Sequence, residues 1–231
     1  MLLEKNISAV KERIKQAALI SGRKPEDIKL LAVTKTQNID TIQEALENGI
    51  KFIAENKVQE AEKKIPLLRG KFSEFHFIGH LQSNKIKHII KLKPVLIHSI
   101  DKYSTAKKLN TYLAKNSLTQ DILIEVNTSG EASKFGIKSE SALQLISSIS
   151  QLENIRIKGL MTIGLFTSDE SKIRGCFKEL RKLSEQLKKN DLANTEMKYL
   201  SMGMTNDFEI AIEEGANIVR IGTAVFGTRN Y

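Results

Sequence analysis

The sequence predicts an α/β fold, a single-domain (β/α)8 TIM barrel with an extra N-terminal helix. Three observations carry this. Eight short β-rich runs alternate along 231 residues with longer segments whose apolar residues recur at i, i+3, i+4 and i+7. Strict alternation calls for a parallel sheet with helices outside, and eight repeats call for closure. No Pro/Gly/Ser-rich linker divides the chain, and this length suits one barrel. A doubly wound open sheet is the alternative, but no GxGxxG follows the first strand.

The elements follow in order. Residues 1–20 begin MLLEKNISAVKERIKQAA, charged and amphipathic, which predicts a helix and not a secretory leader. IKLLAVTK (28–35) is the first strand, and IDTIQEALENG (39–49) the helix after it, with Asp40 as candidate cap and Gly49 at its end. KFIAEN (51–56) and EFHFIGH (74–80) are the second and third strands, and NKIKHIIKL (84–92) is helical. PVLIHSI (94–100) and DILIEVNT (121–128) are the fourth and fifth strands, followed by the helix SESALQLISSISQL (139–152). IRIKGLMTIG (155–164) is the sixth strand, and SKIRGCFKELRKLSEQLKKN (171–190) the long helix after it. MKYLSMG (197–203) is the seventh, with Asn206 to cap a helix that Gly215 ends. NIVRIGTAVFG (217–227) is the eighth.

Composition narrows the function. Cys176 is alone, so no internal disulfide or Cys-rich zinc site is available, and a reducing, cytoplasmic setting is expected. No run of about 20 apolar residues could span a membrane. The net charge of +9 raises nucleic acid as a partner. Against it, the lysines are scattered, without a dense basic block or interleaved aromatics, and 28 lysines face only 8 arginines. A solvated lysine-rich surface accounts for the charge, so neither nucleic acid nor membrane is expected as a partner.

In such barrels the chemistry sits at the C-terminal ends of strands. There the first strand delivers Lys35, the second Asn56, the seventh Ser201 and Gly203, and the eighth Arg220, Gly222 and Thr223. Alternation puts Lys35 on the face of Leu31 and Val33, and Arg220 on that of Gly222. If those faces point inward, both cations reach the barrel mouth. Gly222 and Thr223, just past a strand and before a helix-like turn, suit a phosphate, and the loops after strands 7 and 8 are a frequent phosphate site. Tight turns explain the same glycines equally well. A lysine across the barrel from a phosphate socket can pair with the phosphate or form a Schiff base with a phosphate-bearing aldehyde. The second use needs a neutral amine, which burial beside Leu31 and Val33 and a nearby Arg220 favour. Pyridoxal 5′-phosphate (PLP) is the obvious such aldehyde.

Seven ordered segments make the reading specific. AVTK (32–35), AENKVQE (54–60), HFIGHLQSNK (76–85), VNTSGEASKFGI (126–137), GLMTIG (159–164), LSMGMTNDFEIAIEEG (200–215) and VRIGTAVFGTR (219–229) resemble the PLP homeostasis protein family, the YggS/PROSC proteins. The resemblance implies a PLP-binding barrel similar in fold to the barrel domain of bacterial alanine racemase. It implies Lys35 as the Schiff-base lysine and Ser201, Gly222 and Thr223 as phosphate ligands. Arg220 becomes the partner of the pyridine nitrogen and Asn56 a polar neighbour of the ring. Ala54 stands where the family usually has Gly, Phe75 where Trp is common and Thr205 where Ser is common. The first of these bears on the loop carrying Asn56.

The implied role is to buffer PLP and deliver it to PLP-dependent apoenzymes, as a monomer and without catalysis. An arginine partner cannot readily give up its proton, so the ring nitrogen stays unprotonated and the ring is a weaker electron sink. The alternatives are a PLP-dependent amino-acid racemase and, further off, a Schiff-base aldolase or sugar-phosphate isomerase. Racemisation needs a second acid/base group, which in alanine racemase is a tyrosine from a separate domain. Of Tyr103, Tyr112, Tyr199 and Tyr231, none is obviously placed for it, and no room for that domain is expected before the chain stops.

Other residues have plainer expectations. His76, His80, His88 and His98 lack a metal pattern. Glu55 and Glu60 could be paired carboxylates but are expected at a solvated helix start, and Arg220 could equally pair with Glu125 inside the barrel. Met161 and Ile163 suit either core packing or a ring face. Lys134 and Lys138, after the fifth strand, are expected at the surface and could meet anions.

Overall fold

A computed structural model describes residues 2–131 and 133–228. Among them, α1 (Leu2–Ile20) precedes β1 (Lys29–Val33), and the chain then alternates through α2 (Ile39–Glu47), β2 (Phe52–Glu55), α3 (Val58–Leu68) and β3 (Glu74–Phe77). It continues through α4 (Ile86–Lys91), β4 (Leu96–Ile100), α5 (Tyr103–Lys115), β5 (Gln120–Glu125) and α6 (Ser139–Ile149). The last elements are β6 (Ile155–Met161), α7 (Glu170–Leu187), β7 (Thr195–Ser201), α8 (Phe208–Glu213), β8 (Ile218–Ile221) and α9 (Thr223–Phe226). The strands close into a parallel barrel in sequence order, β8 returning to pair with β1. The expected (β/α)8 barrel and its N-terminal helix are therefore present.

The strands stop sooner than the apolar runs suggest. β1 ends at Val33, so Lys35 lies in the turn beyond it, and β8 ends at Ile221. TAVF, residues 223–226, is helix and not strand, with Val225 buried in the outer core. A four-residue apolar run carries no period that separates the two. Two caps also differ. Asn38, not Asp40, starts α2, its side chain accepting from Thr41 N. Asp207, not Asn206, precedes α8, and its carboxylate accepts from Met204 N. Gly49 and Gly215 end their helices at φ +83° and +100°, conformations that favour glycine.

Two layers of apolar residues hold the barrel. Alternation sends Ala32, Ile53, Phe75, Phe77 and Ile97 outward against the helices. It sends Leu31, Ala54, Leu96, Leu123, Met161 and Ile218 into the barrel. Helix α9 is only four residues long and cannot cover the β8–β1 seam alone. Helix α1 supplies the cover, packing on α8 and α9. It buries Ile7, Val10 and Ile14, each worth about 2 kcal/mol. Arg13 lies over the Phe208 ring and pairs with Glu209 at 2.6 Å, while Asn6 Nδ2 donates to Val225 O.

Candidate functional site

Lys35 is half-buried in a turn that is braced on both sides. Lys64, nearly buried on α3, donates to Thr34 O at 2.9 Å, Glu55 Oε1 at 2.9 Å and Glu60 Oε2 at 3.0 Å. Thr34 Oγ1 donates to Glu55 Oε1 at 2.7 Å, and Thr36 N donates to Glu60 Oε2 at 2.8 Å. The carbonyl before Lys35 and the amide after it are thus both tied to α3 or β2. Thr36 adopts φ +66°, unusual for a branched residue, which the Glu60 contact holds in place. Glu55 is fully buried, not part of a solvated helix start. Burial raises its pKa, against the hydrogen bonds and charge of Lys64.

Arg220 is buried inside the barrel, in register with Leu31 and two residues beyond Ile218, both interior. Its Nη1 donates to Ser201 Oγ and its Nη2 to Thr162 O, both at 2.8 Å. Because β8 pairs with β1, the Arg220 strand and the Lys35 strand are neighbours. The expected phosphate residues therefore flank Lys35 and do not face it from across the barrel. A β-carbon on Gly222 would lie 3.6 Å from Val33 O, so Gly222 adjoins the end of β1. Gly222 starts α9, whose Ala224 N donates to Thr205 Oγ1 at 3.3 Å, linking the loops after β7 and β8. Threonine keeps the hydroxyl that this link needs.

Ser201 is placed differently from its expected role. It is fully buried, and its oxygen contacts both Arg220 and His98 Nδ1, the latter at 2.9 Å. Its hydroxyl is enclosed between Arg220 and His98.

Three buried polar atoms at the C-terminal ends of β2 and β3 lack partners among the described residues. They are Glu55 Oε2, on the last residue of β2, Asn56 Oδ1, just beyond it, and His80 Nδ1, beyond β3. His80 also stacks on Phe135 from the loop after β5, ring centres 4.2 Å apart. Unsatisfied buried polar atoms are rare, and at a barrel mouth they suit a polar ligand. With an amine at Lys35, a guanidinium at Arg220 and a glycine turn beside them, the donor set fits a phosphorylated aromatic aldehyde.

Gly79 fixes where Asn56 sits. A β-carbon there would fall 1.8 Å from Asn56 O, and the Ser99 hydroxyl donates to Gly79 O. Gly79→Ala must push the end of β2 aside, and urea unfolding is expected to show a loss of ~3 kcal/mol.

Carboxylates surround Arg220. Burial pushes Glu125 up to about 7, reinforced by Asp101 and opposed by Arg220. Burial also raises Asp207 and brings Arg220 down to about 10, still charged at neutral pH. A carboxyl raised from its ordinary 4.5 keeps its proton longer when folded. Glu125's contribution to stability therefore falls as pH rises from 4.5 to about 7 and is level above. Glu125→Gln is expected to gain about 3 kcal/mol at pH 8 and little at pH 4.5. Thermal denaturation at the two pH values tests this, and an equal gain at both would contradict it.

The structure thus brings Lys35, Asn56, Arg220, Gly222 and Thr223 to one end of the barrel. Arg220 bonds to Ser201 and Thr162, with Glu125 acting at longer range. Met161 is interior core and Ile163 exposed at the rim. Lys134 pairs with Glu131 and donates to Gly164 O, joining the loops after β5 and β6, while Lys138 is exposed. Tyr199 lies under Lys29 and Lys198, and Tyr231 is outside the described residues. Sequence reasoning missed Lys64 and the buried role of Glu55, although Glu60 and Lys64 stand i,i+4 on one helix face.

The sequence and the fold both have relatives among known proteins. Residues 5–230 match the family described as alanine racemase, N-terminal domain. The pyridoxal phosphate homeostasis protein of Aquifex aeolicus is 43% identical over 97% of both chains. A protein of Bifidobacterium adolescentis described as unknown superposes with a TM-score of 0.92 at 36% identity, covering 97% of this chain and 94% of that one. PipY of Synechococcus elongatus, solved with PLP bound, superposes with a TM-score of 0.80 at 27% identity, covering 93% of this chain and all of that one. On this fold, and at this identity over nearly its whole length, the chain belongs to the pyridoxal phosphate homeostasis protein family.

Proposed function

We propose that this protein binds PLP as a Schiff base on Lys35 and serves intracellular PLP homeostasis by buffering and delivering it. The observation that carries this reading is the adjacency of the Lys35 turn, the Arg220 guanidinium and the Gly222–Thr223 turn at the β8–β1 seam. Lys35 supplies the amine, which condenses with the aldehyde and releases water. Arg220 faces the pyridine nitrogen, Gly222 and Thr223 take the phosphate, and Asn56 lies beside the ring. PLP supplies an aldehyde that reacts reversibly with amines, so a site that sequesters it limits stray reactions. The protein acts in the cytoplasm as a monomer, hands PLP to PLP-dependent apoenzymes and catalyses no reaction of its own.

The test is to add PLP, desalt and record the visible spectrum, then mix the loaded protein with an apoenzyme. A retained chromophore, transfer to the apoenzyme and no racemisation of alanine support the reading. A colourless wild-type protein would sink it, and racemisation at enzyme-like rates would move the function to catalysis.

A further inference from the structure

A chain of side-chain contacts crosses the barrel beneath Arg220. Lys29 Nζ, at the start of β1, donates to both oxygens of Glu74 at 2.6 and 2.7 Å. Glu74 Oε2 lies 2.8 Å from His76 Nε2, and His76 Nδ1 lies 2.9 Å from His98 Nε2. His98 Nδ1 lies 2.9 Å from Ser201 Oγ, which is 2.8 Å from Arg220 Nη1. From Glu74 onward the chain joins four strands, from the first residue of β3 through β4 to the last residue of β7 and on to β8.

Its chemistry allows one direction when both histidines are neutral. An ionised carboxylate only accepts, so His76 carries its hydrogen on Nε2. His76 Nδ1 then accepts, so His98 carries its hydrogen on Nε2. His98 Nδ1 accepts in turn, and the Ser201 hydroxyl must donate to it. The Ser201 oxygen is left to accept from Arg220. Burial favours the neutral form of both rings, outweighing the hydrogen bond and charge of Glu74 at His76, and the charge of Arg220 acts in the same direction as burial at His98. Hydrogen bonds to His76 and Lys29 hold Glu74 at about 2, so it is the ionised end.

We propose that Glu74, His76, His98 and Ser201 form a one-directional hydrogen-bond chain that positions Arg220 at the cofactor site from the opposite end of the barrel. They are positioning residues. Ser201, at the end of β7, and the Thr162 carbonyl, just past β6, are two separate acceptors, which together set the plane of the guanidinium. The link to PLP rests on the function proposed above, whereas the direction of the chain does not.

Nitrogen-15 spectra of histidine-labelled protein without PLP test the direction. Both His76 and His98 are expected to carry hydrogen on Nε2 and none on Nδ1. Glu74→Ala removes the terminal acceptor on a part-exposed residue. The chain can then reverse, and a population of His98 with hydrogen on Nδ1 should appear. Glu74→Gln, which still accepts, should restore the wild-type pattern. A merely structural Glu74 would leave distant His98 unmoved. Wild-type His98 protonated on Nδ1, or no response to Glu74→Ala, would overturn the chain.

For the positioning role, Ser201→Ala should weaken PLP binding roughly tenfold in a spectroscopic titration, and Ser201→Thr should recover most of it. Unchanged affinity in Ser201→Ala would overturn that role. Wild-type protein that takes up no PLP would overturn the cofactor reading, while the histidine spectra still judge the chain.

Discussion

Lys35→Ala protein incubated with PLP and desalted is expected to keep no visible chromophore, while the wild type is expected to keep one. The loss in apparent affinity is at least about a hundredfold, or about 2.7 kcal/mol. The remaining lysines do not replace Lys35. An imine on a solvated lysine is hydrolysed and washed away, whereas in the proposed site one at Lys35 would also be held through its ring and phosphate. The turn carrying Lys35 adds preorganisation, because the backbone on either side is already tied to Lys64 and Glu60. Lys35→Arg separates charge from chemistry. A guanidinium keeps the positive charge but does not condense with an aldehyde, so the arginine variant should be as colourless as the alanine one. A chromophore retained by either variant places the linkage elsewhere.

Arg220 bears on what the bound group can do. The guanidinium is buried yet stays charged, because Asp207 and Glu125 oppose the effect of burial. In the proposed site a ring nitrogen facing it would remain unprotonated, which would weaken the ring as an electron sink. Tyr199, one of the tyrosines weighed as a second acid/base group, lies over Lys29 at the N-terminal end of β1. Both features favour holding PLP over reacting through it.

Much of this was legible in local sequence. Leu31 and Val33 share a face by alternation, with Lys35 in the turn just beyond them, and the eight repeats announce closure. Closure in sequence order makes β8 the neighbour of β1, and that pairing corrects the placement of the phosphate turn relative to Lys35. Side-chain pairings between distant residues leave no mark in spacing. His76 and His98 stand 22 residues apart, and His98 and Ser201 stand 103 apart. Read locally they are polar residues in strands, and only the folded barrel makes them one chain. Glu55 looked solvated because a carboxylate before a helix usually is, and its burial depends on Lys64 reaching back from α3.

Gly159→Ala is expected to abolish the native fold or cost several kcal/mol, the largest stability effect of any change considered. Gly159 adopts φ +144°, where an L side chain is strained by roughly 1–3 kcal/mol. Its β-carbon would also fall 1.9 Å from Tyr199 O and 2.8 Å from Tyr199 N, backbone atoms with no side-chain freedom to yield. Overpacking of this kind adds roughly 1–3 kcal/mol more. The position matters because the β6–β7 register changes there. From Ile157–Thr195 to Gly159–Tyr199, β6 advances two residues while β7 advances four. That shift brings Met161 opposite Ser201, and so sets the Thr162 carbonyl and the Ser201 hydroxyl at the spacing that grips Arg220. Any Gly159→Ala protein that folds should therefore also bind PLP more weakly than its stability loss explains. Urea unfolding and PLP titration on the same sample separate the two effects, and normal PLP affinity in a destabilised but folded variant would detach the register shift from the site.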